Sequence, residues 1–201
     1  MKPEEQKEHR QEVNRQIAHL VTGLIIVFLV YINVLTALII FPILVAGIVI
    51  ALASKRLRIP GIWWFFKKFE RPQDLKALPG RGVLFLLLGV LLSLWFFPKD
   101  IALAAITILA LADSIAPLVG MYHGKVRHPF SSKRYTEGFI AGLAVSFVGA
   151  MFFVSWPEAL IASTIAMIIE GIDLEFSINP TDDNLLIPLI AGFAIMLIRL
   201  I

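Results

Sequence analysis

The sequence predicts an all-α integral membrane protein: a single polytopic domain of about seven transmembrane helices, with its N-terminus cytoplasmic. Three observations carry that prediction. Apolar residues make up 58% of the 201 residues and mean hydropathy is +0.83, against roughly 45–50% apolar usage in globular chains. The apolar residues are gathered into runs that suit spans of about 20 residues, separated by short polar turns. Lys and Arg are concentrated in alternate loops, the pattern that marks one face of a membrane.

Residues 1–16 are charged throughout (Lys2, Glu4, Glu5, Lys7, Glu8, Arg10, Glu12 and Arg15). No small-residue cleavage pattern follows the first apolar run, so no cleaved signal peptide is expected. Ile17 to Ala53 is interrupted by little except His19, Asn33 and Pro42. It is expected to form two spans with a tight turn near Tyr31 to Val34; the alternative, a single tilted span, would move only the N-terminus outside. Residues 55–81 form a basic, aromatic loop, in which GIWWFFKKFE (Gly61 to Glu70) mixes rings with lysines. Two readings fit it: a segment lying in the headgroup plane, or a plain aromatic belt at a span end.

Gly82 to Phe97 is expected as the third span and Ile101 to about Tyr122 as the fourth, joined by Pro98-Lys99-Asp100. The basic loop 123–135 leads to a fifth span, Gly138 to Val154. A turn at Ser155 to Glu158 precedes a sixth, Ala159 to about Ile169, and an acidic loop, 170–184, precedes the last, Leu185 to Ile201. With the N-terminus inside, the inner segments hold sixteen Lys and Arg residues, and only Lys99 and Arg199 fall outside. That imbalance sets the expected orientation. It places Arg15, His19, Lys125, Lys133, Arg134, Glu137, Glu170 and Asp182 to Asn184 at or near the cytoplasmic face, where the active site is expected.

Absences narrow the chemistry. The chain has no cysteine, hence no disulfide framework, thiolate metal site or cysteine nucleophile. Its four histidines, His9, His19, His123 and His128, lack zincin spacing. A bound metal should therefore be a hard cation on carboxylates. No nucleic-acid partner is expected, because the basic residues follow the membrane bias.

The most informative stretch is Leu111 to Gly138, LADSIAPLVGMYHGKVRHPFSSKRYTEG. Asp113 sits in an apolar run, and an ionisable group within a span faces a cavity or a partner. Pro117, Gly120 and Gly124 follow it, and the backbone is expected to unwind there against a cavity. Carboxylates (Asp113, Glu137, Glu170, Asp173, Asp182, Asp183) and cations (Lys125, Arg127, Lys133, Arg134) converge on one face. That set suits a metal-bound polyphosphate, since phosphoryl transfer needs carboxylates for a divalent cation, cations for charge and a positioned acceptor. Gly120 and Gly124 would let backbone N–H groups approach phosphate oxygens. Taken singly, each residue has a plainer reading. Asp182 to Asn184 also suits a solvated turn capping the last span, and Arg15 with His19 suits interfacial anchoring.

At these residues the chain resembles the CTP-dependent polyprenol kinase family (dolichol kinase, phytol kinase, CTP-dependent diacylglycerol kinase). It is distantly similar to phosphatidate cytidylyltransferases. Arg15, His19 and Gly23 resemble the family's residues at the head of its first span. Asp113, Ala116, Gly120, Gly124 and Lys125, followed by Glu137 and Gly138, resemble its Asp-x-x-Ala-x-x-x-Gly-x-x-x-Gly-Lys run and its Glu-Gly pair. Glu170 and then Asp182, Asp183, Asn184, Leu185 and Pro188 resemble its acidic span end and its Asp-Asp-Asn-Leu-x-x-Pro. Ala112 departs from the family's usual glycine, and Arg134-Tyr135-Thr136 replaces Lys-Ser/Thr-x.

The resemblance implies transfer of the γ-phosphoryl group of CTP to a membrane lipid alcohol, a polyprenol such as dolichol, giving polyprenyl phosphate and CDP. It implies Mg²⁺, or another divalent cation, on Asp113, Glu170 and Asp183. Nucleotide or phosphate contacts would come from Gly120, Gly124, Lys125, Lys133, Arg134 and Asn184. Asp182 or Asp183 would orient the acceptor hydroxyl, with Arg15, His19, Glu137 and Gly138 in support. The expected location is the plasma membrane in a prokaryote or the endoplasmic reticulum in a eukaryote. Two other readings stand beside it: a cytidylyltransferase releasing pyrophosphate, and an ion-coupled transporter or scaffold built around Asp113.

Overall fold

The computed structural model describes residues 3–57, 60–70, 75, 78–129, 131, 134–171 and 183–200. Among these it is all-helical, with eight helices: α1 (Pro3–Tyr31), α2 (Ala37–Ser54), α3 (Pro60–Phe69), α4 (Arg81–Phe96), α5 (Lys99–His123), α6 (Thr136–Ala150), α7 (Trp156–Gly171) and α8 (Asp183–Ile198). Three stretches are long and apolar enough to cross a membrane: His9–Tyr31 of α1, α2 and α5. Helices α4, α6, α7 and α8 have 15 or 16 residues each. At about 1.5 Å per residue they are shorter than the roughly 30 Å hydrocarbon core of a typical bilayer.

The long first apolar run divides where expected. Helix α1 ends at Tyr31, Val34 N–H returns to Leu29 O at 2.9 Å, and Asn33 takes a left-handed φ of 60°. The charged N-terminal residues are not a separate tail but the first turns of α1. Their Glu, Gln, Lys and Arg are good helix formers, and Glu12 accepts from Arg15 and from Gln16 along the same helix.

Helix α5 is the centre of the bundle, in contact with α1, α4, α6, α7 and α8. Every residue from Ile101 to Ala110 is buried, so it is shielded from lipid all round, as an apolar helix of this kind must be when it lies in a core. It is unbroken through Pro117, so the expected unwinding does not occur. Proline removes one N–H, and the intimate packing of α6 on this part of α5 holds the helix across that gap.

The glycines of α6 make that packing possible. A Cβ at Gly138 would collide with the carbonyl oxygen of Ala116 and lie 3.2 Å from Gly120 N. Next to α5 on its other side, a Cβ at Gly23 would lie 2.5 Å from that of Ala110.

Helix α1 runs antiparallel to α5, and its two ends fix which groups share a face. At one end Lys99 Nζ donates to Tyr31 O at 2.8 Å and Asn33 Oδ1 at 2.7 Å. Nearby Arg199 pairs with Asp100 at 2.7 Å and Glu158 at 2.6 Å. At the other end His9 packs edge-on against Tyr122. There too Gln11 Nε2 donates to Glu70 O at 2.6 Å, tying α3 to α1. Helix α3 buries Phe66, leaves Trp64 and Phe65 exposed, and sets the Lys68 ammonium 4.9 Å over the Trp64 ring. Lys and Arg groups that the sequence assigns to one face are thus brought to one end of the bundle.

Candidate active site

Asp113 lies on the central helix, 9% exposed. Its Oδ2 is 3.5 Å from His19 Nε2 on α1. The antiparallel pairing that puts Gly23 beside Ala110 sets His19 opposite Asp113, one turn further along. Arg15, one helical turn before His19, lies within electrostatic reach of it. Its guanidinium is held by Glu12, with Nη2 to Oε1 at 2.5 Å and Nε to Oε2 at 3.1 Å.

Beyond α5 the chain makes a short pinned hairpin before α6. Arg127 and Tyr135 form an isolated antiparallel bridge. His128 N–H donates to Arg134 O at 3.0 Å, and Thr136 N–H to Val126 O at 2.9 Å. The Arg127 guanidinium stacks 4.3 Å over the Tyr135 ring. Glu137 closes the hairpin base by accepting from Lys125 N–H at 3.0 Å and Val126 N–H at 3.1 Å. Its own backbone N–H, then those of Val126 and Lys125, hold its carboxyl below the usual glutamate value. Glu137 thereby ties the backbone at Lys125 and Val126 to the start of α6.

This architecture changes what the two glycines contribute. Gly124 N–H donates to Gly120 O at 3.0 Å, and the next two N–H groups go to Glu137. These three donors are committed within the chain, and the Lys125 side chain is exposed. A Cβ at Gly124 would collide with Gly120 O and the Tyr135 ring, so this glycine serves the close approach of the hairpin to α5.

The hairpin carries Arg134 into the acidic ends of two other helices. Arg134 Nη1 is 2.5 Å from Glu170 Oε1 at the end of α7, and Nη2 is 3.5 Å from Asp183 Oδ2 at the start of α8. Glu170 is 1% exposed and also lies within electrostatic reach of Asp113 and Asp183. Its second oxygen, Oε2, is buried and has no hydrogen-bond partner among the described residues. Among the described residues no three His, Asp or Glu side chains are gathered as a ready metal cage. Lys133, Asp173 and Asp182 lie outside the described residues. Asn184 is 8% exposed, and its Nδ2 donates to Gly82 O at 3.2 Å, joining the starts of α8 and α4.

Sequence reasoning missed Glu12, Gln16 and His128. Gln16 is fully buried and donates to Glu12 Oε1 at 3.0 Å. A usable signal existed: Gln16, His19 and Gly23 recur at intervals of three and four, one face of a helix. His128 packs its ring on Phe139 with centroids 5.1 Å apart and touches the α7 end at Gly171. No spacing marks that contact in advance.

No protein-family model matches the chain, and no solved structure matches it. Curated relatives do. The chain is 29% identical over 92% of its length to an uncharacterized protein of Methanocaldococcus jannaschii, of which the match covers 93%. It is 28% identical over 56% of its length to CTP-dependent diacylglycerol kinase 1 of Eremothecium gossypii, covering 42% of that protein. The like-named protein of Saccharomyces cerevisiae is 24% identical over 91% of this chain and 72% of its own. The chain thus spans less than half of the Eremothecium relative and most of the other two. The similarity to these two fungal CTP-dependent diacylglycerol kinases is distant and falls on a membrane-type helical chain.

Proposed function

We propose that the protein is an integral membrane lipid kinase that transfers the γ-phosphoryl group of CTP to a lipid hydroxyl. The observation that carries this reading is the meeting of Arg134, Glu170 and Asp183 from three separate segments at the bundle end, with Asp113 and His19 alongside. The seven-span, N-terminus-inside topology is part of the proposal. It sets this end at the cytoplasmic headgroup layer, where a soluble nucleotide and a membrane alcohol can meet.

A divalent cation is part of this proposal. Glu170 Oε2 is buried without a hydrogen-bond partner among the described residues, and an all-carboxylate donor set suits a hard ion such as Mg²⁺. Glu170, Asp183 and Asp113 would hold it, and when bound it neutralises charge on the transferring phosphoryl group. Arg134, Lys125 and Lys133 would bind the phosphate oxygens. Asp183, or Asp182, would accept the proton of the lipid hydroxyl as it attacks the γ-phosphorus, with CDP leaving. Tyr135 stands where the resembling family has Ser or Thr, and its ring packs on Gly120 and Gly124. Phosphate binding here accordingly rests on the cations.

The finer assignment of the acceptor as a polyprenol such as dolichol rests on the resemblance of the motif residues. Diacylglycerol is the second reading, favoured by the names of the fungal relatives. The test is transfer from γ-labelled CTP or ATP by detergent-purified protein with Mg²⁺ and separate polyprenol, geranylgeraniol and diacylglycerol acceptors. Label is expected in an organic-soluble lipid phosphate, with CTP preferred. Pyrophosphate released on adding phosphatidic acid, with no labelled lipid, would replace the kinase by a cytidylyltransferase.

A further inference from the structure

Arg134 is held where the proposed reaction needs something else. Its guanidinium lies on Glu170 Oε1 and Asp183 Oδ2, at 2.5 and 3.5 Å, the carboxylates proposed for the divalent cation. A cationic partner favours the charged form of a carboxylate as buried as Glu170, and Arg134 is placed to be one. Yet Arg134 is also one of the cations proposed for the phosphate oxygens.

A guanidinium forks onto carboxylate or phosphate with similar geometry, and one fork cannot serve both at once. The backbone of Arg134 is pinned, its N–H donating to Ser131 Oγ at 3.2 Å and its carbonyl accepting from His128 N–H. Only the side chain is free to exchange partners.

From these contacts, and resting on the lipid-kinase reading, we infer that Arg134 is the resident counter-ion of Glu170 and Asp183 and couples metal binding to nucleotide binding. Polyphosphate draws the guanidinium off the carboxylates, which are then open to the divalent cation. Reciprocally, a cation on the carboxylates frees Arg134 for phosphate, because linkage of two binding free energies runs equally both ways. Arg134 is therefore a positioning residue for the metal as well as a phosphate contact. The exchange keeps Glu170 neutralised throughout.

The test measures binding, not turnover, on the full chain in detergent. Mn²⁺ affinity is read by electron paramagnetic resonance without nucleotide. Arg134→Gln should bind Mn²⁺ about tenfold more tightly than the wild type, within the usual range of such couplings. Arg134→Lys should return toward wild-type affinity, and adding Glu170→Gln to Arg134→Gln should abolish the gain. In a separate arm, Glu170→Gln alone should bind inorganic triphosphate in EDTA about tenfold more tightly than wild type, because its guanidinium is released. That arm does not depend on Arg134→Gln folding. Equal Mn²⁺ affinity in wild type and folded Arg134→Gln, or unchanged triphosphate affinity in Glu170→Gln, overturns the coupling. Failure of the lipid-kinase reading would show elsewhere, as absence of any labelled lipid in the transfer assay.

Discussion

Gly138→Ala is the sharpest test of how the site is held together. One methyl group would be added where α6 crosses α5, in collision with Ala116 O and 3.2 Å from both Ala116 C and Gly120 N. The obstacles are backbone atoms of a helix locked in the core, so no side chain can swing aside. Ordinary contact would require α6 to retreat by about 1 Å, and overpacking of that kind costs about 1–3 kcal/mol. The intrinsic helical advantage of Ala over Gly, about 1 kcal/mol, offsets part of it. Retreat would also carry Glu137 away from Lys125 and Val126 and shift Arg134. A misplacement near 1 Å costs on the order of 100-fold in rate.

Gly82→Ala is the internal control: it too is helical, and a Cβ there meets nothing within 4 Å. Thermal unfolding in detergent and phosphate transfer should both fall for Gly138→Ala and be unchanged or slightly improved for Gly82→Ala. If Gly138→Ala matches the wild type in both, the close crossing of α5 and α6 is refuted.

Asp113→Asn should abolish transfer while leaving the unfolding temperature near that of the wild type, since the amide keeps the shape beside His19; near-normal turnover would remove Asp113 from the machinery. At the opposite end, the hydrogen bond from Arg199, with those from Ser155, pushes Glu158 down to about 2 from its ordinary 4.5. Because the folded value is the depressed one, its stabilisation is complete above pH 4.5 and is lost as the pH falls toward 2. Acid titration of unfolding should therefore show a loss of stability in that window which Glu158→Gln reduces, and an unaltered profile in the variant would mean the Arg199 cluster contributes nothing.

The sequence alone determined the class of the molecule and the order of its elements. Hydropathy locates each apolar run because transfer of apolar surface out of water depends on composition, not on partners. The same reasoning separated α1 from α2 at Asn33. It also sorted Arg134, Glu170, Asp183 and Asn184 to one face, because chain direction alternates from helix to helix.

Tertiary structure decided which charges meet. Arg15 turns to Glu12 along its own helix, His19 to Asp113, and Arg134 to Glu170 and Asp183 rather than being left free for phosphate. The pairings between helices depend on which helices are neighbours and how each is rotated about its axis. Those quantities are set by close contacts such as Gly23 on Ala110 and Gly138 on Ala116, between positions far apart in the chain. Pro117 makes the same point. Locally it argues for a break, yet α5 stays helical because neighbouring helices enclose it and hold its backbone across the missing N–H.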